Sequence, residues 1–149
     1  MHRVRSLCLA LLLIAAPFCL AGDLAVIVNK SNPASTVTGA ELAKLLRTPA
    51  QSWPDGRKIR IVLTAPDSAG TSMILERACK MKPEEIKSLA NAHRAELQVV
   101  GSDEIVLQMV DSNPGAIGIV NVYSINSHVK VLKVDEKLPM EPGYPLHGN

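Results

Sequence analysis

Short apolar runs rich in β-branched residues alternate along this chain with stretches in which leucine, isoleucine or valine returns every three or four positions. The first pattern belongs to a buried strand and the second to one face of a helix. Leu24–Asn29 (LAVIVN) reads as a strand, and Ser31-Asn32-Pro33 turns the chain after it. Thr38-Gly39-Ala40-Glu41 has the form of a capping box, so a helix is expected over Gly39–Arg47 with Leu42, Leu45 and Leu46 on its apolar face. Residues 49–56 form a loop holding Trp53 and the turn Pro54-Asp55-Gly56.

A strand over residues 59–64 leads into a helix over about 70–80. The next helix opens at Pro83, a residue suited to the first turn, and carries Glu84 and Glu85 at its positive end. Residues 96–100 read as a strand. Ser102 or Asp103 caps a further helix, which has Ile105, Val106, Met109 and Val110 on one face and stops before Asn113-Pro114-Gly115. Residues 116–122 and 129–134 are the last two strands. The tail from Glu136 holds Pro139, Pro142 and Pro145 and is expected to lie as extended coil on the surface. Strands alternating with helices predict a single α/β domain with at least partly parallel pairing.

The residues before this domain have a different character. His2, Arg3 and Arg5 precede a run from Leu7 to Leu20 that is apolar apart from Pro17, and the stretch ends at Cys19-Leu20-Ala21 with small residues at Cys19 and Ala21. That order is the one of a secretory signal peptide. Cleavage after Ala21 is expected to leave residues 22–149 in the periplasm. Cys8 and Cys19 leave with the signal, so Cys79 alone remains and is expected to be a buried, apolar-like residue on a helix. The chain has 16 basic and 14 acidic residues, and losing Arg3 and Arg5 makes it formally neutral. Neither a basic stripe nor an aromatic platform is present, which argues against nucleic-acid binding.

The segment running from the second strand into its helix carries the candidate chemistry. Ser68, Ala69, Gly70, Thr71 and Ser72 form a small, hydroxyl-rich loop that opens the helix. Free N–H groups and the macrodipole make such a start attractive to a tetrahedral oxyanion, with hydroxyls as additional donors. The plainer alternative is N-capping by Asp67 or Ser68 with no ligand. His93, His128 and His147 lack the spacing of zinc ligands, no serine has the surroundings of a catalytic nucleophile, and no cofactor is implied. Asn29 and Asn121 follow apolar runs, either as satisfied turn residues or facing one cleft.

These segments, in this order, resemble the periplasmic phosphate-binding component of phosphate ABC transporters. The resemblance is carried by the first strand and turn, Glu41-Leu42, Trp53 with Asp55-Gly56, Gly70-Thr71, Pro114-Gly115-Ala116-Ile117-Gly118, and Gly143-Tyr144-Pro145-Leu146. It implies one lobe of a type II periplasmic-binding-protein-like fold, about five strands with helices on both faces. It also implies non-catalytic binding of phosphate or a related oxyanion and an ABC permease as partner. Two departures stand out. Where the family's loop has an arginine and, later, a serine, this chain has Ala65 and Ala69, with Arg60 the nearest guanidinium on the preceding strand. The second lobe is absent as well, so a homodimer is a further expectation. Two functions follow: an oxyanion-binding module, or an interaction module that kept the fold and lost the ligand.

Overall fold

The computed structural model describes residues 22–64 and 66–148, the Ala69 side chain excepted. The predicted signal segment and its cleavage point lie outside the described residues. Five strands form the main sheet: β1 (Leu24–Asn29), β3 (Arg60–Thr64), β4 (Leu97–Val100), β5 (Ala116–Asn121) and β6 (Val129–Val131), in the order β4-β3-β5-β1-β6. β3 runs parallel to both β4 and β5, whereas β1 lies antiparallel between β5 and β6. Helices α1 (Gly39–Arg47), α2 (Ala69–Cys79) and α3 (Pro83–Ala92) cover one face, and α4 (Asp103–Ser112) covers the other.

The alternation within each strand divides the core in two. Val26, Val28, Ile61, Leu63, Ile117 and Ile119 point toward α1 to α3, together with Leu42, Leu46, Leu75 and Ile86 from those helices. Ala25, Ile27, Val62, Ala116 and Val120 point the other way and meet Val106, Leu107 and Val110 of α4. Every central strand is apolar on both faces, as a sheet sandwiched between helices requires.

The capping box of α1 forms as the sequence predicts. Thr38 Oγ1 accepts from Glu41 N at 3.0 Å, and Glu41 Oε2 accepts from Thr38 N at 2.8 Å. α2 ends at Lys80, whose left-handed backbone (φ 56°) is joined by an arginine cap: Arg47 donates to the carbonyls of Cys79 and Lys80. Cys79 is buried beneath, and burial pushes its thiol pKa up to about 11 although Arg47 pulls it down.

Pro114-Gly115-Ala116-Ile117-Gly118 has a packing explanation. A Cβ on Gly118 would lie 2.7 Å from Val106 and 2.9 Å from Val110, so the glycine lets α4 settle close onto β5. Gly115 abuts the Lys58 carbonyl, and its own carbonyl accepts from the Trp53 indole at 3.0 Å. Trp53 therefore packs over the core and is also fixed by hydrogen bonding.

The last predicted strand divides in two. After Val131, Leu132 N still donates to Val26 O, and the chain then leaves the main sheet. Lys133–Val134 (β7) pairs in parallel with Thr36–Val37 (β2), a two-residue strand too short to show a period in the sequence. The tail also runs deeper than a surface coil. Tyr144 and Leu146 are fully buried, Leu146 O accepts from Leu24 N, and Tyr144 Oη donates to Leu24 O at 2.7 Å. Burial, with Asp23 nearby, raises the Tyr144 phenol well above its ordinary range.

A tight turn joins β7 to Lys137, with Val134 and Lys137 exchanging backbone hydrogen bonds of 2.8 and 3.1 Å. Asp135 and Glu136 at its centre both have positive φ, 48° and 65°. Aspartate tolerates that region, but glutamate has no local compensation for it. Glu136→Gly is therefore expected to stabilise the protein by about 0.5–1 kcal/mol, the relieved strain less glycine's extra chain entropy. The urea midpoint should rise with an unchanged slope, and a lower midpoint would contradict this account.

Candidate functional site

Because β3, β4 and β5 are parallel, α2, α4 and the segment after β5 all begin at one end of the sheet. β1, running the opposite way, starts there too. At this end Leu24, Leu63, Thr64, Thr71, Asp103, Ile119, Val120 and Asn121 enclose a crevice of about 40 Å³. Ligands of open α/β sheets favour this location, beyond the carboxyl ends of the strands. A larger cavity, about 580 Å³, lies elsewhere, between α3 and the edge strand β4.

The predicted loop residues occupy the first turn of α2. Ser68 takes the N-cap position with extended backbone, but its side chain makes no cap hydrogen bond. Asp67 does not act as the cap either. Its carboxylate meets Lys87 of α3 at 2.7 Å, and this hydrogen bond lowers its pKa. Simple side-chain capping, the plainer reading of this loop, is thus not what the structure forms. Ala69 and Gly70 are the first two helical residues, Thr71 lines the crevice, and Ser72 N donates to Ser68 O at 2.8 Å. Ala65 lies outside the described residues.

Arg60 lies at the opposite end of β3 from Thr64. Four residue steps along the strand separate them, roughly 13 Å. Its neighbours in the cavity it lines are Met109, Ser112, Asn113 and Pro114, at the far end of α4. The only arginine on the preceding strand is therefore turned to another part of the molecule, and does not replace the guanidinium missing at Ala65.

The dominant polar group in the crevice is one the sequence reading treated only as a possible cap. Ser102 caps α4 by accepting from Ile105 N at 3.3 Å, which leaves Asp103, the first helical residue, free for another role. Its carboxylate accepts from Thr64 Oγ1 at 2.6 Å, from Ser124 Oγ at 2.8 Å and from Asn121 N at 3.0 Å. One side chain thus ties the ends of β3 and β5 to the start of α4. The sequence signal was the pair of adjacent capping residues, of which a helix uses one.

The two asparagines do not face one cleft. The β1–β5 register pairs Leu24 with Asn121, so Asn29 lies at the other end of the sheet. There Asn29 Nδ2 donates to the carbonyls of Val110 and Asp111 and closes the end of α4. Asn121 Oδ1 accepts from Tyr123 N at 3.0 Å, the turn role expected of it. Among the described residues, no group of three or more His, Cys, Asp or Glu side chains gathers as a metal site would need.

A family model described as the PBP superfamily domain matches residues 13–147. A comparison with curated proteins gives no match. Among solved structures, an ABC-type phosphate transport receptor from Vibrio cholerae superposes with a TM-score of 0.69 at 19% identity, covering 87% of this chain and 56% of that one. PstS from Borrelia burgdorferi gives a TM-score of 0.67 at 22% identity, covering 86% of this chain and 55% of that one. A phosphate-binding protein from Stenotrophomonas maltophilia gives 0.58 at 18% identity, over 79% and 40%. The chain therefore spans about half the length of the solved structures it resembles, and at these identities the likeness establishes the fold.

Proposed function

Since this chain belongs to the PBP superfamily, we propose that it is a non-catalytic, periplasmic binding-protein-like module of residues 22–149 that takes phosphate or a related oxyanion at the start of α2. The supporting observation is that α2 opens at the strand-end crevice with no side-chain cap on its first turn. The first-turn amides that a helix leaves without intrahelical partners, and the helix dipole there, favour an anion. In this reading Ser68, Ala69, Gly70, Thr71 and Ser72 contribute backbone or hydroxyl donors, and Thr71 lines the crevice. The crevice itself is small, so the anion would rest at its mouth, half open to water. With Ala65 in the loop and the site half open to water, the binding is expected to be weak, since each hydrogen bond counts for less when solvated. A permease of the ABC type or a second copy of the chain would then complete the site.

Thermal melting in phosphate, sulfate, arsenate and chloride at matched ionic strength tests this reading. An anion at a hundred times its dissociation constant adds about 2.7 kcal/mol, or roughly 10 °C for a domain of this size. The expected result is a phosphate-dependent shift that Thr71→Leu abolishes. No shift with any anion at millimolar concentration would leave the crevice without a ligand.

One observation favours the alternative of an interaction module. Met73, Ile105, Tyr123 and Met140 are exposed apolar side chains, and each follows closely on, or bonds to, a residue at this same end of the sheet. Exposed apolar side chains suit a protein partner better than a small anion where they gather into one patch.

A further inference from the structure

The crevice at the start of α2 is not electrostatically empty. Asp103 lines it together with Thr71, and it already holds three donors that an incoming anion could otherwise use: the Thr64 and Ser124 hydroxyls and the Asn121 amide. The Thr64 bond, at 2.6 Å, has the length of a charge-assisted hydrogen bond, and the other two are 2.8 and 3.0 Å. Arg60, on the same strand as Thr64, does not offset the charge, because it is at the other end of β3. An anion at the mouth of the crevice would therefore meet a fixed negative charge and find the nearest donors taken.

We infer that Asp103 is a built-in anion that competes with an external one, and so determines how weakly the site binds. This inference rests on the oxyanion reading above and names the group that restrains it. Asp103 acts on the ligand through charge and through donor occupancy, and its ties to β3 and β5 are a separate, structural contribution. Those two roles predict different results on substitution. A purely structural side chain would change the melting temperature of the free protein and leave anion affinity alone. A competing carboxylate, once neutralised, should raise anion affinity even in a less stable protein.

The test is calorimetric titration of inorganic phosphate into the wild-type protein, Asp103→Asn and Asp103→Ser at low, matched ionic strength. Asn keeps the shape of the side chain, and Ser removes the charge without placing a new amide donor in the crevice. Removing a like charge a few ångströms from the anion is expected to tighten binding at least tenfold in both variants, the gain shrinking as salt is added. Backbone amide spectra would establish that each variant is folded, and the two substitutions guard against one failing to fold. Wild-type binding with no gain in either variant would overturn the role of Asp103 and leave the α2 site standing. A gain in Asn alone would also overturn it, since the cause would be the added donor. Absence of binding in all three proteins would instead remove the α2 site and this inference with it.

Discussion

Replacing Gly115 with alanine is expected to cost about 3 kcal/mol, the upper part of the range for overpacking a rigid site. An added Cβ would lie 2.3 Å from the carbonyl oxygen of Lys58, which is backbone and cannot swing aside. Gly115 cannot move away either. Its amide donates to Asn113 Oδ1 at 3.0 Å, and its carbonyl accepts from the Trp53 indole at 3.0 Å and from Arg60 N at 3.2 Å. The strain must then be taken up where β3 and β5 begin their pairing. The melting temperature should fall by roughly 10 °C. The fluorescence of Trp53, the single tryptophan, should shift as its hydrogen bond is disturbed. Gly101→Ala is the natural control, because nothing lies within 4 Å of its Cβ position, and it should leave stability unchanged or slightly raised. Equal stability of Gly115→Ala and wild type would refute the close-approach explanation.

Asp23 is expected to produce a loss of similar size by a different route. Its carboxylate is 6% exposed and accepts from Met140 N at 2.6 Å, Gly148 N at 2.9 Å and the ring of His147 at 2.8 Å. It thereby fastens both ends of the tail beside the first residue of β1, with Tyr144 and Leu146 buried between them. Asp23→Ala leaves two backbone amides without their acceptor and frees the tail, at a cost of about 3 kcal/mol. Hydrogen exchange should rise first at the amides of residues 140–148.

The same network gives a pH dependence. Burial on its own would raise the Asp23 pKa, but the amides of Gly148 and Met140 and the His147 ring outweigh it, and the pKa lies below its ordinary value of 3.8. The folded protein therefore binds this proton less readily than the unfolded chain. The stabilisation is complete above the ordinary carboxyl pKa and is lost as the pH falls through the lower, folded value. Melting curves of wild type and Asp23→Asn should stay apart at neutral pH and converge below about pH 4. A gap that persists unchanged in acid would mean that the charge contributes nothing to the fastening.

The comparison of chain and structure turns on a few residues. The Thr38–Glu41 capping box, Pro83 at the start of α3 and the run from Leu24 to Asn29 were legible because each acts over a few positions of the chain. The two-residue strand β2 and the division of residues 129–134 were not, since both depend on a partner some hundred positions away. Tyr144 and Leu146 sit among prolines and glycine, which read as surface coil, and only the groove beside β1 makes them core. The loop of Ser68 to Ser72 was visible as a helix start. What surrounds that start was not.

The sequence by itself determined the alternation of strands and helices, the capping box of α1 and the two-sided apolar sheet, because local propensity and periodicity act between near neighbours. The tertiary structure alone decided that Arg60 points away from the α2 start, that Asn29 and Asn121 lie at opposite ends, and that Asp103 enters the crevice. Each of those outcomes depends on strand register and on the direction of the chain through the sheet. Charge and hydrogen bonding at the site follow from that geometry, which brings Thr64, Asp103, Asn121 and Ser124 within bonding distance although they are far apart in the chain.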